Sequence, residues 1–121
     1  MPLSERDSML IERILEDYDT FEKRIEYSKM DEDKFCNNHS FEGEFNYDAI
    51  MNPLYRIVED AGHLSDEVTS AAPELPWRQI TGFRNFIAHG YAQLDRKIVW
   101  HTVEDDLPKL IDYLRSILIS S

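Results

Sequence analysis

One cysteine, few basic residues and no long apolar run set the first bounds on this 121-residue chain. The single Cys36 cannot form an internal disulfide, so a packed core must stabilise the chain and a reducing compartment is expected. No apolar run approaches the ~20 residues a membrane helix needs. The opening Met1-Pro2-Leu3-Ser4-Glu5-Arg6-Asp7 has no basic stretch leading into an apolar one. Neither a membrane span nor a secretion signal is therefore expected, and the cytoplasm is the expected location. With 13 basic against 24 acidic residues, the formal net charge is −11. Generic nucleic-acid binding rests on basic surface, so a chain of this charge could hold RNA only where local arginines override the field. The acidity otherwise suits a basic partner or simply solubility.

Hydrophobic residues, at 42%, are ordinary for a globular protein and exclude disorder. The length fits one domain over residues 1–121. No internal repeat or low-complexity tract divides it. There is no glycine-rich phosphate loop, nucleophile elbow or paired-carboxylate pattern. His63 and His101 lack ligand spacing, so no metal site and no cofactor are expected.

Apolar periodicity predicts four helices. The first runs from about Ser4 to Met30, with Ser4 and Asp7 spaced as a capping box. Its stripe is Met9, Leu10, Ile14, Tyr18, Phe21 and Ile25. Residues 31–44 read as a loop with at most a single turn around Phe35, and His39 as an exposed loop histidine. The second helix is expected from Tyr47 to Thr69, capped by Asn46; Pro53 inside it means either a start near Asn52 or a bend there, and a bend is expected. The third runs from Trp77 to His89, with Gly90 placed to end it in a left-handed turn. Tyr91 to His101 reads as a connector with a short extended piece at Ile98-Val99-Trp100. The fourth helix starts between Thr102 and Asp106, and Pro108 favours a start at Asp105 or Asp106. The fold expected is an all-α bundle of four antiparallel helices, or five with short turns.

The chemistry concentrates in Arg84-Asn85-Phe86-Ile87-Ala88-His89-Gly90-Tyr91. An arginine can hold a phosphate with a planar fork of donors. A histidine can both give and take a proton near neutral pH. Together they are the least that metal-free RNA cleavage requires. Arg84 falls at the edge of the apolar arc of Trp77, Ile80, Phe83, Ile87 and Tyr91, and Asn85 shares the face of His89. Five residues are roughly 140° around a helix, so one straight helix does not aim Arg84 and His89 at one point. The helix can end at Gly90 and turn, or two subunits can face each other with one copy of the motif each. In-line displacement needs a base and an acid on opposite sides of the phosphorus, and a pair of subunits supplies His89 twice. Phe86, roughly opposite the apolar arc, would then sit at a subunit contact.

The spacing of Arg84, His89 and Tyr91 resembles the signature of the HepT-like ribonuclease toxins of the HEPN superfamily. The similarity continues through Pro76-Trp77, Ile80, Gly82, Asp95, Val99-Trp100 and Asp106-Leu107-Pro108. Where the family often has Gly-Glu-Ala in its second helix, this chain has Glu59-Asp60-Ala61. The resemblance implies a HEPN-like helical bundle, a homodimer with a composite cleft, and endoribonuclease activity in a toxin–antitoxin pair. Arg84 and His89 would be the catalytic residues, with Asn85 and Tyr91 supporting them or binding RNA. It also implies a cognate nucleotidyltransferase antitoxin as partner, and Tyr91 as the residue to which that partner attaches AMP.

Two other readings compete. In one, the bundle is a non-catalytic regulatory module of a nucleotidyltransferase, with Arg84 and Tyr91 holding a nucleotide or the partner; the −11 charge favours it. In the other, Arg84 makes only a structural ion pair, which a buried carboxylate partner would support.

Overall fold

The computed structural model describes residues 2–90 and 95–120, and of residues 86–90 the backbone alone. Among the described residues seven α-helices follow in order: α1 (Glu5–Ser28), α2 (Glu32–Asn37), α3 (Phe41–Ala61), α4 (Asp66–Ser70), α5 (Trp77–Gly90), α6 (Arg96–His101) and α7 (Leu107–Ser120). A π-helical segment, Thr102–Asp106, joins α6 to α7. No strand occurs among the described residues. The four long helices correspond to those read from the periodicity, and α2, α4 and α6 are additional.

Helices α1 and α3 form the central pair. Arg13 bonds Asp60, Asp17 bonds Arg56 and Arg24 bonds the carbonyl of Ala49. Numbers rise along α1 as they fall along α3, so the two run antiparallel. Between them and α7 lies a core of Ile11, Ile14, Ile50, Met51, Leu54, Ile57, Leu110, Ile111 and Leu114, each at most 1% exposed. Ile11 belongs to the buried stripe of α1, whereas Met9, expected there, is half exposed.

The segment expected to be a loop is mostly helical. Asp31 caps α2 by accepting from Lys34 N–H, and Ser40 caps α3 by accepting from Gly43 N–H. What fixes α2 is Phe35, buried against the rings of Tyr47 and Trp100 at 5.0 and 5.2 Å. Gly43 does not end a segment. A Cβ there would collide with the carbonyl oxygen of Asn38, so only glycine lets α3 start this close to the preceding turn.

Helix α3 runs through Pro53 without a break, so it does not begin at Asn52. The proline withholds the N–H that Ala49 would receive. Arg24 Nη1 donates to that carbonyl instead, at 2.6 Å. The helix stops at Gly62 rather than continuing to Thr69. Ser65 starts α4 with its N–H and hydroxyl both donated to the buried carboxylate of Asp7, at 3.1 and 2.6 Å. Only half of the expected capping box on α1 therefore forms. Asp7 N–H donates to Ser4 Oγ, and the Asp7 carboxylate turns to Ser65.

Residues Ile98 to Trp100 are helical, not extended. With no strand to pair with, they bury Val99 and Trp100 by winding into α6, which Asp95 caps. Thr102 does not act as an N-cap, because its hydroxyl donates to Ile98 carbonyl within one continuous run. The wider π turn falls where the Pro108 ring would otherwise meet the carbonyl of Glu104.

Candidate nuclease site

Two contacts of its first residue seat α5. Pro76 precedes its first residue, Trp77, whose indole N–H donates to Ala72 carbonyl at 2.8 Å and whose ring meets Tyr113 edge-on at 6.1 Å. Ile80 and Phe83 are buried, which turns the next position, Arg84, to the rim of the α3–α5 contact. The expected apolar arc is thus present over its described part. Asn85 is exposed.

At the rim, Arg84 meets the end of α3. Its Nε donates to Glu59 Oε2 at 2.8 Å and its Nη2 to Oε1 at 3.2 Å, a side-on fork. Nε2 of His63, one turn further, lies 3.2 Å from the same Oε1. The hydrogen bond from Arg84 holds Glu59 below the usual carboxylate range, against an opposing push from burial. The Glu59 bond in turn raises Arg84. Between Glu59 and His63, Gly62 leaves the space that the arginine occupies. A Cβ there would stand 3.0 Å from Arg84 Cδ and 3.2 Å from Nη1.

This pair answers to the structural ion-pair reading only in part. A carboxylate does hold Arg84, but the Arg84 and Glu59 side chains are 32% and 44% exposed. A cation in that position still faces solvent and can meet a phosphate.

Helix α5 stays helical through Gly90, one residue past the expected end. Positions 85 and 89 therefore lie about one turn apart along the helix, and 84 and 89 are separated by roughly 140° around its axis. The side chain of His89, the contact role expected of Phe86, the turn expected after Gly90 and the whole of Tyr91 lie outside the described residues. No group of His, Cys, Asp and Glu suited to a metal ion occurs among the described residues.

Glu59, Gly62 and His63 surround Arg84 in the candidate site, and sequence reading passes over them. The signal available was the four-residue spacing of Glu59 and His63 on one helical face. Nothing in the sequence links that face to Arg84, which lies 25 residues further on. Of the other histidines, His39 is an exposed partner of Glu44, as its loop position suggests, and His101 lies 3.6 Å from Glu32.

Comparison with known proteins gives the geometry a context. The family described as ribonuclease HepT-like matches residues 9–117. A Methanocaldococcus jannaschii protein provisionally named an RNase is 29% identical over 71% of this chain and 75% of its own. A Thermococcus cleftensis protein provisionally named ribonuclease HepT is 31% identical over 51% of this chain and 56% of its own. A provisionally named RNase of Caldanaerobacter subterraneus is 29% identical over 58% and 62%. No solved structure matches the chain significantly.

Proposed function

This chain belongs to the ribonuclease HepT-like family and is by that membership an RNA-cleaving enzyme, and we propose that it cuts without a metal, as the toxin of a toxin–antitoxin pair. The observation that carries the reading is the solvent-facing, carboxylate-held fork of Arg84, at the start of the motif that also holds His89. In the proposed reaction the 2′-hydroxyl attacks the adjacent phosphorus. Its proton passes to one imidazole, the O2′–P bond forms, and the P–O5′ bond breaks as a second imidazole protonates the leaving oxygen. The products are a 2′,3′-cyclic phosphate and a 5′-hydroxyl.

Arg84 clamps the phosphate and stabilises the charge that builds on it. His89 acts as general base in one subunit and general acid in the other. Asn85 supports His89 or the phosphate, and Tyr91 donates to a phosphate or stacks on a base. Because one straight α5 separates positions 84 and 89 by roughly 140° around its axis, the reading requires a homodimer that faces two copies of the motif across one cleft. The proposed silencing step is transfer of AMP to Tyr91 by a nucleotidyltransferase partner. The added anion would fill the cleft and repel RNA. The proposed location is the cytoplasm. Among the described residues no helix is long and apolar enough to cross a membrane.

Purified protein should cleave single-stranded RNA in chelator and leave cyclic phosphate ends. His89→Ala should stop cleavage while far-ultraviolet circular dichroism stays unchanged. Cleavage that persists in that variant removes His89 from the mechanism. The −11 charge favours the second reading, a non-catalytic partner- or nucleotide-binding regulatory module. Tight binding of a co-expressed transferase with no cleavage by the free protein would decide for it.

A further inference from the structure

We infer that Glu59 is a positioning residue of the cleavage site, fixing the plane of the Arg84 guanidinium so that its end-on pair of N–H groups faces the scissile phosphate. This rests on the nuclease reading above. The geometry distinguishes it from simple sequestration. A guanidinium offers five N–H groups along its edges. Glu59 takes the side edge, Nε–H and one N–H of Nη2. It does not claim the terminal Nη1–Nη2 edge, which is the one that grips a phosphate with two parallel bonds. A carboxylate that withheld the arginine from RNA would occupy that terminal edge.

Two further features make the placement specific. Gly62 opens the slot in which the side chain lies, within 3.3 Å of Arg84 Nε from where a Cβ would stand. His63 approaches the Oε1 that also receives Nη2, so the carboxylate is itself braced from its own helix. Glu59 thus stands one step behind the arginine, and His63 one step behind Glu59. The pair is too exposed to be explained by stability, since solvent screening removes most of the worth of such a bridge.

The test is steady-state cleavage of one short single-stranded RNA by wild type, Glu59→Gln, Glu59→Asp, His63→Ala and, as a control outside the site, Asp60→Asn. Glutamine keeps the shape but replaces one acceptor oxygen by a donor, so it cannot hold both nitrogens. The expected result for Glu59→Gln is a fall in kcat of about 10- to 100-fold, the scale of a misplaced reacting group, with KM changed much less. Glu59→Asp keeps a carboxylate and should retain more activity than Glu59→Gln. His63→Ala should show a smaller fall of the same kind, and Asp60→Asn should keep wild-type kcat. Melting temperatures of the Glu59 variants should match wild type. Unchanged or raised kcat in Glu59→Gln overturns the inference, and a raised kcat with lowered KM identifies Glu59 as a competitor of the phosphate. A wild-type chain that cuts no RNA overturns the nuclease reading itself, and positioning falls with it.

Discussion

Adjacent carboxylates near the end of α3 hold arginines in the same way and serve different ends. Asp60 takes Arg13 of α1 by Nε at 3.1 Å and Nη2 at 2.5 Å. Glu59 takes Arg84 of α5 by the same two atoms at 2.8 and 3.2 Å. The Asp60 side chain is 6% exposed and that of Glu59 is 44% exposed. Burial decides the difference. A carboxylate out of water must keep its partner or bear the full desolvation penalty, so Asp60 welds α1 to α3. A carboxylate in water gains little stability from its partner, so the hold of Glu59 on the side edge of Arg84 is left to position the arginine in the proposed site.

The comparison breaks most visibly at the arginine and the histidine of the motif. Arg84→Ala should lower kcat by about 10²–10³-fold, as loss of a transition-state donor does. His89→Ala should lower it by about 10²–10⁴-fold. Both are read as single-turnover cleavage in chelator, and neither should move the melting temperature appreciably. The converse variant, Asp60→Ala, should cost about 1–3 kcal/mol in urea unfolding while leaving kcat intact. Arg13, itself half exposed, can turn to water and keeps that cost toward the lower end. If Asp60→Ala silenced cleavage and Arg84→Ala unfolded the chain, the assignment of the two pairs would be reversed.

Much of this contrast is invisible in the sequence, for a physical reason. The apolar period exposes the long helices because each repeats its burial every three or four residues, as Leu107, Leu110, Ile111, Leu114 and Ile117 do in α7. Helices α2 and α6 are six residues each and carry too few repeats to show a period. They exist because Phe35, Val99 and Trp100 find a common pocket, a tertiary fact. The motif was legible as a string of residue types. The partner of its arginine was not, because Glu59 and Asp60 look alike in sequence and only packing sends one to α5 and the other to α1.

Asp7 sharpens the same lesson at a smaller scale. Burial pushes its carboxyl up, but the hydroxyl and N–H of Ser65, then Ser4, outweigh that and hold it below the ordinary carboxylate range. A lowered folded-state value stabilises the protein at pH above the unfolded value, and that contribution is lost as pH falls through the folded one. Asp7→Ala should cost about 1–3 kcal/mol at neutral pH. The gap between variant and wild type should narrow on acidification. A gap in urea midpoint that is constant from neutral to acidic pH would contradict the assignment.

Gly62→Ala should have the mildest effect. The Gly62 backbone sits at φ −68°, open to any residue, so alanine should add about 0.4–1 kcal/mol by restricting the unfolded chain. Its methyl would push on Arg84 at 3.0 Å, so cleavage should fall modestly while stability rises. A stability gain with undiminished cleavage would show that the slot does not place the arginine.

The proposed dimeric cleft is tested most directly by mixing subunits. Wild-type and His89→Ala protein are combined at fixed total concentration, allowed to exchange, and assayed for RNA cleavage in chelator. If both copies of His89 act on one phosphate, activity falls as the square of the wild-type fraction. Activity that falls in simple proportion to that fraction would mean each subunit cuts alone, contradicting the shared cleft.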